Sequence, residues 1–146
     1  MTIVNLTLRT AISASLAVSG VVHAYLYIHG YRDIPAIGPA FLLQGSMFCA
    51  LALLILARGP AWLQLVAAIG AAGSLVAFTL SRTATLFGFI ETGWQPSPYA
   101  AITVVAEVLT LLLVGTTALR QRPRASKDLP LHQGADGARE PSSRRG

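Results

Sequence analysis

The sequence predicts an all-α protein, a membrane four-helix bundle with a disordered C-terminal tail. Hydrophobic residues make up 53% of the 146 residues and charged residues only 12%, whereas soluble domains carry about 25% charged residues. Four apolar runs of roughly 20 residues are each long enough to cross a hydrocarbon core of about 30 Å. Once these runs are set aside, too little chain remains for a separate soluble domain.

The first transmembrane helix is predicted over residues 8–29 and the second over residues 39–57. Pro35 and the Gly38-Pro39 pair separate them, because proline lacks an amide proton and fits the first turn of a helix. The first run also has the layout of a signal peptide, with Val22-His23-Ala24 as the cleavage site. Cleavage stays open as an alternative, although the apolar run continues beyond that point.

The third and fourth helices are predicted over residues 61–89 and 99–119. Arg58-Gly59-Pro60 is a compact turn that ends one helix and starts the next. We expect the third helix to be long and tilted, reaching Phe89 with Arg82 in its outer third. The alternative ends this helix at Arg82 and lays the following residues along the membrane interface.

The distribution of basic residues predicts the orientation, since cytoplasmic loops are enriched in Lys and Arg. The tail, residues 121–146, is rich in Ser, Gly, Asp, Arg and Pro and is expected to be disordered. We therefore expect a multi-pass protein of the cell membrane with both termini in the cytoplasm. Six basic residues near the membrane then face the cytoplasm and two face outward: Arg9, Arg58, Arg120, Arg122, Arg124 and Lys127, against Arg32 and Arg82.

Four polar residues, one from each helix, form a candidate polar cluster: His23, Gln44, Arg82 and Glu107. At a rise of about 1.5 Å per residue, each lies roughly 8–12 Å below the outer end of its helix. Charged side chains inside hydrocarbon usually pair or face the bundle interior, which predicts an Arg82–Glu107 pair. A functional pocket and a purely structural pair both fit this pattern, as does an Arg82 side chain that extends to the interface. His23 and Gln44 fit structural hydrogen bonds between helices as well.

A second group of polar residues is predicted at the outer membrane face: Tyr27, His29, Tyr31, Arg32, Asp33 and Glu91. Its tyrosines are typical of an aromatic belt at the interface. Its two acidic residues are expected to be solvated loop residues. An enzymatic alternative uses His23, His29, Arg32 and Asp33 to handle an anionic lipid headgroup.

The loop GYRDIPAIGPAFLLQ, the segment LFGFIETGWQPSP and the downstream Glu107 resemble a family of uncharacterised small four-span integral membrane proteins from high-GC Gram-positive bacteria. The resemblance covers residues 8–119 and implies a membrane location and four helices, without a known chemistry. DoxX-like membrane proteins are similar in size and span count. That similarity concerns topology alone, which does not carry function.

The motifs of common enzymes and cofactor sites do not occur in this sequence. It has no dinucleotide-binding, phosphate-loop, zinc-protease or nucleophile-elbow motif, and Cys49 is its single cysteine. We expect no catalytic residues, no metal, no cofactor and no nucleic-acid partner. The expected partner is the lipid bilayer, with a homo-oligomer or a larger membrane complex left open.

Three functions fit these observations. The favoured one is a non-enzymatic accessory or structural membrane component. The first alternative is a carrier or channel for protons or a small solute that uses the polar cluster. The second is a redox membrane protein that binds quinone or haem, although His23 is the only histidine well inside a predicted helix and haem needs an axial ligand.

Overall fold

Four long apolar helices make up the protein. The computed structural model describes residues 3–84 and 87–121. Helix α1 (Ile3–Leu26) is continued by a π-helical turn (Tyr27–Tyr31), and α2 (Ile37–Ala57), α3 (Ala61–Thr83) and α4 (Tyr99–Gln121) follow. All four are long and apolar enough to cross a membrane. The all-α bundle prediction is confirmed, and the chain is a multi-pass membrane protein. The tail was predicted to be disordered over residues 121–146. Residues 122–146 lie outside the described part of the chain.

Gly59 and Pro60 separate α2 from α3 at the predicted turn, whereas α2 begins at Ile37, two residues before its predicted start at Pro39. Gly59 has φ +54° after α2, a left-handed conformation that glycine adopts without steric cost. Pro60 is extended and precedes the first residue of α3. Gly30, with φ +149°, lies within the π-helical turn at the outer end of α1. We call this end of the bundle the outer end, after the predicted orientation.

The four helices form a ring in which each packs against its sequence neighbours. Helix α1 packs closely on α2 and α4, and α3 closes the ring against α4 and, less extensively, α2. Gly20 and Gly45 bring α1 and α2 nearly into backbone contact. A Cβ atom on Gly20 would lie 3.1 Å from the Gly45 carbonyl oxygen, and one on Gly45 would lie 3.1 Å from the Gly20 carbonyl oxygen. Small residues allow such close approach of membrane helices.

The inner half of the bundle is a packed apolar core. Ile12, Leu16, Phe48, Ile55 and Ala67 are completely buried there. The outer half has a smaller apolar cluster of Leu26, Tyr31 and Ile37. Other large apolar side chains project outward, as in a protein surrounded by lipid: Leu43, Leu53, Ile69 and Val105 are 64–70% exposed.

The prediction that α3 continues to Phe89 is wrong. Helix α3 ends at Thr83, and Ala84 is already extended. Phe87 and Gly88 have positive φ angles, which an α-helix does not contain. The chain then folds back, and the Glu91 amide donates to the Ser81 carbonyl at 2.9 Å. The apolar run was long enough for a helix, so hydropathy alone did not show this reversal.

Candidate functional site

A cavity of about 320 Å³ lies between the helices in the outer half of the bundle. All four residues of the predicted polar cluster line it: His23, Gln44, Arg82 and Glu107. The rest of the wall is mostly apolar and includes Leu26, Phe41, Ala77, Phe78, Phe89 and Val104. A mostly apolar cavity of this size with a few polar groups has the character of a small-molecule site.

Glu107 lies on α4 with its carboxyl group held by two hydroxyl groups. The residue is only 2% exposed. Ser19 Oγ on α1 donates to Oε1 at 3.0 Å, and Ser74 Oγ on α3 donates to the same oxygen at 2.7 Å. The second oxygen, Oε2, takes part in none of the hydrogen bonds within residues 3–84 and 87–121. Three helices therefore fix one carboxyl oxygen and leave the other unengaged.

The predicted Arg82–Glu107 pair is wrong, because Arg82 pairs with Glu91 instead. Arg82 Nη2 lies 2.9 Å from Glu91 Oε2. Since α3 ends one residue after Arg82, the guanidinium can reach the α3–α4 connection rather than the bundle interior. Its Nε donates to the Gly93 carbonyl at 3.1 Å, and Nη2 also donates to the Gln95 carbonyl. The guanidinium carbon lies 3.7 Å from the centre of the Phe78 ring, a cation–π contact.

Glu91 and Tyr31 differ from their predicted environments. Glu91 was expected to be solvated, but its side chain is only 17% exposed. Its Oε1 accepts a hydrogen bond from the Tyr31 hydroxyl. Tyr31 was assigned to the aromatic belt, but it is 8% exposed and stacks on Phe41 with the ring centres 4.6 Å apart. We call Arg82, Glu91 and Tyr31 the outer clasp, since they join α3, the α3–α4 connection and the end of α1.

His23 is buried beside the cavity in a defined tautomer. Its Nδ1 lies 2.9 Å from the Ser19 carbonyl oxygen. A carbonyl oxygen can only accept, so Nδ1 carries the proton and Nε2 of the neutral ring is an acceptor. The ring packs against Phe41 and Phe48, with centres 5.1 and 6.4 Å away.

Gln44 brings an unpaired amide to the cavity wall. Its Nε2 atom is buried and has no hydrogen-bond partner among the described residues. The predicted hydrogen bond from Gln44 to another helix is therefore missing in this part of the chain. A buried amide that lacks a partner costs about 1–3 kcal/mol, which makes Gln44 an available donor for a bound molecule.

The other outer-face candidates do not join the cavity. His29, Arg32 and Asp33 are exposed and Tyr27 is half-buried, and none of them lines the cavity. His29 stacks on Tyr25 with ring centres 4.0 Å apart, away from His23. The structure therefore does not bring together the four residues of the enzymatic alternative. Within the described residues, no group of three His, Cys, Asp or Glu side chains could hold a metal ion.

Sequence reasoning missed Ser74 and the hydroxyl pair below Glu107. Ser15 Oγ and Thr110 Oγ1 are hydrogen-bonded at 2.7 Å, and Thr110 is completely buried. The sequence did contain one sign of a polar face on α1. Ser15, Ser19 and His23 recur every four residues, which places them on one face of α1.

Comparisons with known proteins give one partial likeness. No family model matches the chain, and no solved structure matches it. The chain is 31% identical over 103 residues to the uracil permease of Paenibacillus larvae subsp. larvae (strain NRRL B-3650 / LMG 16245). The match covers 65% of this chain but spans only about a quarter, 24%, of the permease. It agrees with a multi-pass membrane protein and does not establish a family.

Proposed function

We propose that this protein is a cell-membrane carrier that binds a small organic solute in the outer cavity. The observation that carries the proposal is the cavity itself, which is lined by a buried carboxyl on Glu107 and by a Gln44 amide that has no hydrogen-bond partner among the described residues. Ionisable residues inside a membrane usually mark a pathway for a solute or an ion. The likeness to a uracil permease supports transport over a structural role and makes uracil the first solute to test.

The cavity offers complementary polar groups in an apolar surrounding. Gln44 Nε2 is a donor, Nε2 of a neutral His23 ring is an acceptor, and Glu107 Oε2 accepts no hydrogen bond from the part of the chain that the structure describes. A few polar groups that fix orientation within apolar walls are the usual composition of a small-molecule site. A solute with both donors and acceptors would satisfy groups that the protein leaves unpaired.

The two ends of the bundle differ in how they close the cavity. The outer clasp holds the α3–α4 connection over its outer end by side-chain hydrogen bonds. The inner end is blocked by packed side chains such as Leu16 and Phe48. With both termini in the cytoplasm, as the basic residues favour, the clasp faces outside. Solute would then enter past the clasp and leave after the inner core has rearranged.

A role as an accessory component of a larger membrane complex is the second candidate. One observation favours it, since the match spans only about a quarter of a permease. Extraction in a mild detergent tests it, because an accessory component would migrate with a larger complex of stable composition. A bis-histidine haem site has less support, as His23 is the one histidine that lines the cavity in the described part of the chain.

Uptake into liposomes that contain the purified full chain tests the carrier proposal. Gly73 lines the cavity, and a Cβ added there meets nothing within 4 Å. Gly73→Leu would therefore fill the cavity with little steric conflict. Gly115 on α4 also has open space around it but lies outside the cavity, so Gly115→Leu is the matched control.

We expect uptake of uracil or of a member of a panel of small cationic, neutral and anionic solutes above that of empty liposomes. Gly73→Leu should abolish it and Gly115→Leu should retain it, with both variants eluting as monodisperse protein in detergent. Uptake of no panel member by the wild type, or equal uptake by the two variants, would contradict the proposal.

A further inference from the structure

We infer that this cavity selects a monovalent organic cation over a neutral solute such as uracil, and that the Glu107 carboxylate is the counter-ion of that cation. The inference rests on the proposed solute-binding function and specifies the charge class that the site selects. It follows from three features of the cavity: the balance of charges along its wall, the hydrogen bonds of Glu107, and the aromatic rings beside it.

The charges on the cavity wall do not balance within the protein. The titratable or charged residues of the wall are His23 on α1, Arg82 on α3, Glu91 in the connection and Glu107 on α4, while α2 contributes the neutral amide of Gln44. Arg82 and Glu91 neutralise each other at 2.9 Å. His23 donates from Nδ1 to the Ser19 carbonyl and forms no ion pair with a carboxylate of the described residues. One carboxyl group, that of Glu107, is left without a cationic partner in the described part of the chain.

An unpaired carboxylate in such surroundings is unfavourable until a positive charge joins it. Ser19 and Ser74 hold Oε1 and so fix the orientation of the carboxyl group. Oε2 has no hydrogen-bond partner among residues 3–84 and 87–121 and is the atom that an ammonium group would contact. Charge-assisted hydrogen bonds of this kind are stronger than those between neutral groups.

The remaining wall also favours a cation over an anion. Phe41, Phe78 and Phe89 line the cavity, and aromatic ring faces attract cations. Phe78 already makes such a contact with the Arg82 guanidinium. An anionic solute would find the Arg82 guanidinium already neutralised by Glu91, with four of its five N–H groups donating to Glu91, Ser81 and two backbone carbonyls.

Three probes of equal size and different charge test the inference: benzylammonium, benzyl alcohol and benzoate. Binding is measured by calorimetry on the full chain in detergent. Benzylammonium should bind about tenfold or more tightly than benzyl alcohol, and benzoate should show no measurable binding. Glu107→Gln should remove the preference for the cation while benzyl alcohol still binds. Asp33→Asn removes an exposed carboxylate outside the cavity, and it should keep the wild-type preference.

A second variant covers the case in which Glu107→Gln does not fold. Ser74→Ala keeps the carboxyl group but removes one hydroxyl that orients it, and should reduce the cation preference severalfold. Equal binding of benzylammonium and benzyl alcohol to the wild type would overturn the inference and leave the solute site intact. Binding of none of the probes would also overturn it. The carrier proposal itself falls only if the liposomes take up no panel solute either.

Discussion

Arg82 and Glu91, nine residues apart in sequence, form an ion pair at the outer end of the cavity, with Nη2 and Oε2 2.9 Å apart. The pair attaches the α3–α4 connection to the end of α3. Because Arg82 is paired with Glu91, it does not neutralise Glu107, which lies deeper in the cavity. The hydrogen-bond partners of Glu107 are two hydroxyl groups. The sequence predicted that Arg82 pairs with Glu107 on another helix. Arg82 instead pairs with a residue just beyond the end of its own helix, where the chain reverses.

Replacing Arg82 by Gln should destabilise the protein. The change leaves the Glu91 carboxylate mostly buried beside Tyr31 without its cation, and it removes donors to two backbone carbonyls of the connection. We expect a loss of about 1–3 kcal/mol in the free energy of unfolding. Denaturation in detergent, followed by tryptophan fluorescence, measures it, since Trp94 lies in this connection.

Arg32→Gln is the control for this prediction. Arg32 is an exposed arginine of the first loop and should change the free energy of unfolding by less than about 0.5 kcal/mol. Equal effects of the two substitutions would show that the Arg82–Glu91 pair does not stabilise the connection.

Replacing Tyr31 by Phe should loosen the outer clasp without emptying the space that the ring fills. The variant retains the stacking on Phe41 and loses the hydrogen bond to Glu91. Without this hydrogen bond, the free energy needed to open the connection should fall by about 1 kcal/mol. This corresponds to roughly fivefold faster hydrogen exchange of backbone amides in residues 91–95. Tyr27→Phe on the same turn serves as the control. Unchanged exchange rates in Tyr31→Phe would exclude a role of this hydroxyl in holding the connection.

Replacing Gln44 by Leu should increase the stability of the empty protein and reduce its uptake of solute. The substitution removes a buried donor that has no partner in the described part of the chain, so the empty protein should become about 1 kcal/mol more stable. Solute uptake should fall, because the bound molecule loses a hydrogen bond. Gln64→Leu is the contrast: Gln64 is also buried, but its amide donates to the Gly59 carbonyl, and its loss should destabilise. Similar stability changes in both variants would argue against an unpaired amide at Gln44.

Replacing Gly20 by Val should disrupt the packing of α1 on α2. The added side chain would meet Cys49 Sγ at 2.9 Å and the Gly45 carbonyl oxygen at 3.1 Å. Overpacking of this kind costs about 1–3 kcal/mol or more. Thermal unfolding in detergent should show a lower midpoint than for Gly115→Val, where the surrounding space is open. A midpoint equal to that of the control would contradict tight packing of α1 on α2 at Gly20.

Much of the architecture was predictable because membrane helices depend on hydropathy and on glycine and proline. The start of α3 and the shared cavity of His23, Gln44 and Glu107 follow from counting residues, whereas Arg82 lies at the end of α3 rather than at their depth. The pairing of Arg82 was not predictable in the same way. Arg82 can reach Glu91 because α3 ends one residue after Arg82. The reversal that follows depends on left-handed conformations at Phe87 and Gly88, which lie within an apolar run.

The environments of individual polar groups were also hidden from the sequence. Tyr31 looked like an interfacial tyrosine because its position relative to Phe41 depends on the π-helical turn. Ser74 was not among the predicted site residues. Its hydrogen bond to Glu107 depends on how α3 is rotated against α4, which spacing along one helix does not reveal.

The approach of Gly20 and Gly45 limits where the cavity can change its size. Backbone lies close to backbone there, and the side chains beside the two glycines are the small ones of Cys49 and Ala24. Between α2 and α3, by contrast, Gly70 meets the side chains of Met47 and Phe48, which can adopt other rotamers. We therefore expect the cavity to enlarge on the α3 side, where side chains can rearrange, rather than between α1 and α2.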